Sequence, residues 1–157
     1  MTRAEQSLYI VIGMPGAGKT TYLDKLLAEG VIDCHFDDYQ KGAPKQDGPE
    51  SRAVSDPRLS PNYPKLVEAV LAGQNVAIAD IRYCVPEEER MIRAFAAAEF
   101  PEVDVVWVHF ANDPDACRHN VLLRNREGKL ERELQNIDII APLYNPPQNG
   151  TLPVIMG

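Results

Sequence analysis

The sequence predicts an α/β fold, a parallel sheet with helices on both faces. Three observations carry that prediction. Short apolar runs with β-branched content alternate along the chain with segments of helical periodicity. The helical segments have start and stop signals of their own. Near the amino terminus, Gly13-Met14-Pro15-Gly16-Ala17-Gly18-Lys19-Thr20 fits G-x-x-x-x-G-K-[ST] at every fixed position, between a strand-like run and a helical one.

In chain order, SLYIVI at 7–12 reads as the first strand, and the helix at 20–28 ends at Gly30, a natural stop. A second strand is expected over 31–36. Residues 40–60 are rich in Gly, Pro, Asp and Ser and lack periodicity, so they read as a long loop, either a substrate loop or plain surface. The helix at 61–72 spaces Leu66, Val67, Val70 and Leu71 on one side and stops at Gly73. A third strand follows at 75–80. The helix at 86–98 opens on proline and three glutamates, the chemistry a first turn prefers. A fourth strand at 103–110 precedes the helix at 114–126, with Asp113 as N-cap and Pro114 in first position. A last helix at 129–143 and a weak fifth strand at 152–156 complete the pattern. Residues 1–157 are expected to form one domain, because the chain is long enough for one proper core and too short for two.

The glycine-rich segment has the composition of a phosphate cradle. Gly13, Gly16 and Gly18 let backbone N–H groups approach an anion closely. The helix that opens there adds unpaired N–H groups and the positive end of its dipole. The binding segment therefore runs from Gly13 through Met14, Pro15, Gly16, Ala17, Gly18 and Lys19 to Thr20 and Thr21. Lys19 is placed for the β- and γ-phosphates of a nucleotide, and the Thr20 hydroxyl for Mg²⁺. A structural glycine turn would explain the glycines but not the Lys-Thr pair.

Composition narrows the partners. Hydrophobic content is 45% and charged content 25%, ordinary for a globular protein. No apolar stretch approaches bilayer length, and the amino terminus lacks a signal-peptide core, so a cytoplasmic location without membrane contact is expected. Three widely spaced cysteines suggest no disulfide framework, and Cys117 with His119 falls short of a zinc ligand set. The net charge of −7 argues against broad binding to a nucleic-acid duplex and favours a small substrate or a single terminus.

In open parallel sheets, ligands bind beyond the carboxyl ends of the strands. The second strand ends in Asp37-Asp38-Tyr39. A kinase acting on a hydroxyl needs a carboxylate near the acceptor oxygen, and Asp37 is the first candidate, Asp38 the second. A plain turn would also favour aspartates. The third strand ends on Asp80, suited to Mg²⁺ through water or to the acceptor, with Arg82 placed for an anionic group of the substrate. Arg118, Arg124 and Arg126 lie on or just past the fourth helix. Helical spacing does not put all three on one face, so one or two can reach a nucleotide while the rest face solvent. No N-K-x-D occurs and Asp80-Ile81-Arg82-Tyr83 is not D-x-x-G, which disfavours a GTPase. An ATP-binding regulatory module with slow hydrolysis is the alternative to a phosphotransferase.

The order GMPGAGKT, FDDY, VAIADIRY followed by PEEER, then an arginine-bearing helix, resembles the small P-loop kinases. Within them it is similar to the kinase domain of bacteriophage polynucleotide 5′-hydroxyl kinase and its bacterial relatives. The resemblance implies a five-stranded parallel sheet in the order 2-3-1-4-5, with ATP and Mg²⁺ as phosphoryl donor and cofactor. It implies Asp37 as general base, Asp80 near the acceptor, and a substrate side that includes Asp38, Tyr39, Gln40 and Arg82. Lys19 and Arg124 would be catalytic, and Arg118 and Arg126 would assist at the nucleotide. The chain departs from that branch at Gln40, where an arginine is usual, and in the spacing of Arg118-His119-Asn120 to Arg124. The acceptor can be a nucleoside, a polynucleotide 5′ end, a sugar or another metabolite.

Overall fold

A computed structural model describes residues 6–43 and 55–156. Four strands form one parallel sheet: β1 (Ser7–Ile12), β2 (Cys34–Phe36), β3 (Val76–Ala79) and β4 (Asp104–His109), in the order β2-β3-β1-β4. Five α-helices join them among the described residues: α1 (Lys19–Ala28), α2 (Tyr63–Leu71), α3 (Pro86–Glu99), α4 (Pro114–Arg124) and α5 (Leu130–Ile140). Short 3-10 turns at Pro57–Leu59 and Ile81–Cys84 lead into α2 and α3.

The apolar runs of β1 and β3 are central because they must be buried on both faces. Every residue of β3 is buried, and β1 aligns Leu8 with Val76 on one side and Val105 on the other. Parallel crossovers are right-handed. The chain leaves β1 toward β2 and later passes from β3 toward β4, the opposite way, which puts α1 on one face and α2 and α3 on the other. Ring contacts agree with this layering: Phe95 of α3 meets Tyr63 of α2, while Tyr22 of α1 meets Phe110 beyond β4. The reversal between β1 and β3 opens a crevice at their carboxyl ends, where such folds bind ligands.

Helix ends move by one to three residues, α2 spanning Tyr63–Leu71 and α5 Leu130–Ile140, and three departures have a clear local reason. The second strand shortens to Cys34–Phe36 because the N–H groups of Val31 and Ile32 turn back to the Leu26 carbonyl at 2.9 and 3.4 Å. The fourth helix stops at Arg124 because Asn125 adopts the left-handed conformation, φ 39°. Among the described residues the expected five-stranded sheet has four strands. In place of the fifth, Leu152 makes one parallel bridge to Phe110, donating to the His109 carbonyl at 2.9 Å and accepting from Ala111 at 2.8 Å. Pro153 follows with no N–H to continue a ladder. The segment then crosses onto the glycine loop, where Ile155 N–H donates to the Ala17 carbonyl at 3.0 Å. Much of the expected loop at 40–60 lies outside the described residues.

Candidate active site

The loop from Gly13 to Thr20 joins β1 to α1 at the crevice. Gly16 and Gly18 have φ of +83° and +103°, a region side-chain-bearing residues rarely adopt. Space is equally restrictive. A Cβ on Gly16 would come within 2.4 Å of the Cys117 carbonyl oxygen, and one on Gly18 within 2.7 Å of Ile155 Cβ. Gly18 is the N-cap of α1 and offers no side-chain cap, and the first turn holds no acidic residue. The helix's leading N–H groups and dipole are thus left for an external anion.

Lys19 is buried and folds back on the loop, donating to the carbonyls of Gly13 at 2.7 Å and Met14 at 2.9 Å. Burial lowers its pKa, while Cys84, Asp37, Asp38 and Asp80 act in the opposite direction. Next to it, exposed Thr20 donates its hydroxyl hydrogen to Asp37 Oδ2 at the end of β2. The other Asp37 oxygen accepts from Asp38 N–H at 3.0 Å. The lone pairs left on the Thr20 hydroxyl and on Asp37 are hard oxygen donors of the kind Mg²⁺ takes. No cluster of three or more His, Cys, Asp or Glu able to hold a metal occurs among the described residues. Magnesium that shares its shell with nucleotide phosphates and waters needs one or two protein oxygens, not such a cage.

Asp38, exposed and left-handed at φ 53°, turns the chain so that the residues after it point inward. The Tyr39 ring is wholly buried, its hydroxyl donating to the Pro57 carbonyl at 3.2 Å. Gln40 is buried too: Nε2 donates to Ser55 O at 2.9 Å, and Oε1 accepts from Tyr83 at 2.7 Å. Both residues, expected on the substrate side, direct their side chains into the scaffold. The Tyr39 carbonyl accepts from Ser60 Oγ and, at 3.0 Å, from Asn62 Nδ2.

Asp80 ties the ends of β2 and β3 together. It is buried, with Oδ2 accepting from Gln40 N–H at 2.9 Å and Oδ1 from Arg82 N–H at 3.0 Å. Burial raises its pKa, and those two N–H groups and the Arg82 charge oppose the rise. Arg82 lies 3.6 Å from Asp80 and 3.6 Å from Glu88 of α3, clamped between two carboxylates. Its Nε and Nη1 are buried without a hydrogen-bond partner among the described residues. Glu88 escaped the sequence reading, which counted it as first-turn charge. It is buried, accepts from Ser55 N–H at 3.1 Å, and burial pushes its pKa up to about 7.

Arg118 stands apart from the other two arginines. Arg118 pairs with Asp115 at 3.1 Å and Asp138 at 2.8 Å, away from the loop. Arg124 pairs with Glu133 of α5, and Arg126 stands 4.0 Å from the same carboxylate. Only Arg124 of the three lines an open groove of ≈ 340 Å³ beside the loop, together with Gly16, Gly18, Thr21, Leu123 and Ile155. Cys84 and Cys117 are free and buried, with pKa values pushed up by burial to about 12 and about 11, as expected of packing thiols. No helix of the described residues is long and apolar enough to cross a membrane.

A parallel sheet in the order 2-3-1-4, with a glycine cradle, lysine and threonine between β1 and α1, defines a P-loop α/β domain, and that loop implies nucleotide binding. The chain belongs to the AAA domain family AAA_33, whose family model matches residues 8–140. No curated protein matches the sequence. Among solved structures, a fungal RNA kinase is similar at TM-score 0.61 and 14% identity, over 100% of this chain and 77% of that one. A gluconokinase from Sinorhizobium meliloti 1021 is similar at TM-score 0.56 and 12% identity, covering 98% of this chain and 86% of that one. The protein APE1195 is similar at TM-score 0.55 and 19% identity, with coverages of 96% and 84%. At such identities these likenesses establish a shared, kinase-like P-loop fold, not a shared substrate.

Proposed function

We propose that the protein is an ATP-dependent phosphotransferase that moves the γ-phosphoryl group of ATP to a hydroxyl. The observation that carries the reading is the Thr20–Asp37 hydrogen bond. It sets a strand-end carboxylate directly beside the residue that ends the phosphate loop. Transfer to an alcohol uses a carboxylate there to orient the acceptor and take its proton, and the same group can share Mg²⁺ with Thr20.

Lys19 and the N–H groups opening α1 would neutralise the β- and γ-phosphates. Thr20 would hold Mg²⁺ through its oxygen while its hydrogen stays on Asp37; the metal, when bound, supplies further charge neutralisation. Asp37 orients the acceptor hydroxyl and takes its proton. The acceptor oxygen bonds to the γ-phosphorus, the bond from that phosphorus to the β–γ bridging oxygen breaks, and ADP leaves. Arg124, released from Glu133, would meet charge on the transferring group. Arg118 and Arg126 remain secondary candidates at the nucleotide. Asp80 fixes Arg82 and the backbone of Gln40 at the acceptor side. The groove beside Arg124 has room for the nucleoside. Two structural neighbours are an RNA kinase and a gluconokinase, which supports the class of reaction. An acceptor that is a small hydroxyl compound or a polynucleotide end fits this chemistry.

The test incubates the protein with labelled ATP, Mg²⁺ and separate pools of nucleosides, 5′-hydroxyl oligonucleotides and sugars. Label is expected in one pool. Lys19→Ala should abolish transfer, and Asp37→Ala should lose transfer while keeping most of the ATP affinity. Equal turnover by Asp37→Ala and wild type would remove the base assignment.

A further inference from the structure

A phosphate loop works only if its carbonyls face away from the anion, since each peptide plane points its C=O and N–H in opposite directions. Nearly every carbonyl of this loop is held by an identifiable donor. Lys19 holds those of Gly13 and Met14, and Tyr22 N–H holds that of Gly18 at 2.9 Å. The carbonyls of Gly16 and Ala17 take their donors from outside the motif. Asn120 Nδ2, on α4, donates to the Gly16 carbonyl at 2.8 Å and to the Ile155 carbonyl at 2.7 Å. Ile155 N–H donates to the Ala17 carbonyl at 3.0 Å. These three bonds close a ring that joins the loop, α4 and the segment after Leu152. The bond to Ala17 turns the N–H of the same peptide, that of Gly18, to the opposite side. Ile155 also occupies the place a side chain on Gly18 would need, its Cβ lying 2.7 Å from where a Gly18 Cβ would stand.

We propose that Asn120 is a positioning residue of the nucleotide site: its amide locks the Gly16 carbonyl, whose peptide N–H on Ala17 closes the turn onto Met14, and through the Ile155 strap the Ala17 carbonyl, and so holds the Gly18 N–H in phosphate-binding orientation. The inference rests on the phosphate-binding reading of the loop and adds a residue that the motif does not contain. Arg124 lies one helical turn further on, so the same tether also sets where that guanidinium stands relative to the loop. No charge is involved, and a carboxamide suits the place because a single NH₂ can serve two carbonyls at once. Aspartate has the same shape and, ionised, donates nothing.

The test measures affinity for Mg·ATP and for Mg·tripolyphosphate by calorimetry in wild type, Asn120→Ala and Asn120→Asp, with thermal melts in parallel. Loss of two hydrogen bonds of ordinary strength predicts binding about tenfold weaker in Asn120→Ala. It should weaken further in Asn120→Asp, which sets a negative charge against two carbonyls and near the anion. The two ligands should weaken by the same factor, because the effect lies in the phosphate cradle. Unchanged affinity in both variants overturns the proposal. Weakened ATP with unaltered tripolyphosphate also overturns it, since Asn120 would then serve the nucleoside groove. Wild type that binds neither ligand overturns the phosphate-loop reading itself, a result distinct from the other two.

Discussion

At the scale of single residues, the loop glycines separate conformational strain from steric exclusion. Gly16 and Gly73 have nearly the same φ, +83° and +80°, but a Cβ on Gly73 meets nothing within 4 Å, whereas on Gly16 it meets the Cys117 carbonyl at 2.4 Å. Gly73→Ala should therefore cost only the left-handed penalty, about 1–2 kcal/mol by chemical denaturation. Gly16→Ala should cost more and should also lose nucleotide binding, because either α4 or the loop has to move. Equal stabilities for the two variants would contradict the close approach. The sequence singled out Gly16, Lys19 and Thr20 because a phosphate cradle uses nearest-neighbour spacing, and Asp37 because it closes a strand. It could not identify Asn120, 104 residues away from its carbonyl partner at Gly16.

At the scale of elements, local signals fixed where helices start. Asp113 caps α4, accepting from Ala116 N–H at 3.2 Å, with Pro114 behind it as the sequence suggests. Asp113→Ala should destabilise the protein by about 1 kcal/mol, read from a denaturant midpoint. Because α4 carries Asn120 and Arg124, ATP affinity should fall modestly alongside. A variant with unchanged stability would show that packing, not the cap, holds the start of α4. Strand lengths were less legible. The apolar residues at 31–32 and 152–156 have strand composition, but the first pair wraps the end of α1 and the second group crosses the glycine loop. Composition records that a residue is buried, not which partner its backbone finds.

At the scale of the whole molecule, burying Glu88 against Arg82 and Ser55 couples stability to pH. Burial raises its pKa to about 7, against about 4.3 in an unfolded chain. Between those values the folded protein keeps a proton that the unfolded chain has released, so stability contributed at this site falls as pH rises through the window. Glu88→Gln should match wild type near pH 4 and become the more stable form by pH 7, by about 2–3 kcal/mol, the difference levelling off once pH has passed the folded value. Melts of both proteins across pH 4–8 give the comparison, and parallel curves would refute the burial-driven shift. Lys19→Ala should leave this difference intact, since Glu88 lies against Ser55 and Arg82 and not on the glycine loop.

The sequence alone determined the alternation of strands and helices, the phosphate loop and the strand-end acids, because each is written in residues adjacent along the chain. Tertiary structure alone decided that Tyr39 and Gln40 face the core, that Arg82 stands between two carboxylates, and that Asn120 and Ile155 complete the loop. Those outcomes depend on which backbone groups, distant in sequence, become neighbours when the sheet closes. Most buried donors and acceptors then find a partner, and only the folded chain supplies it.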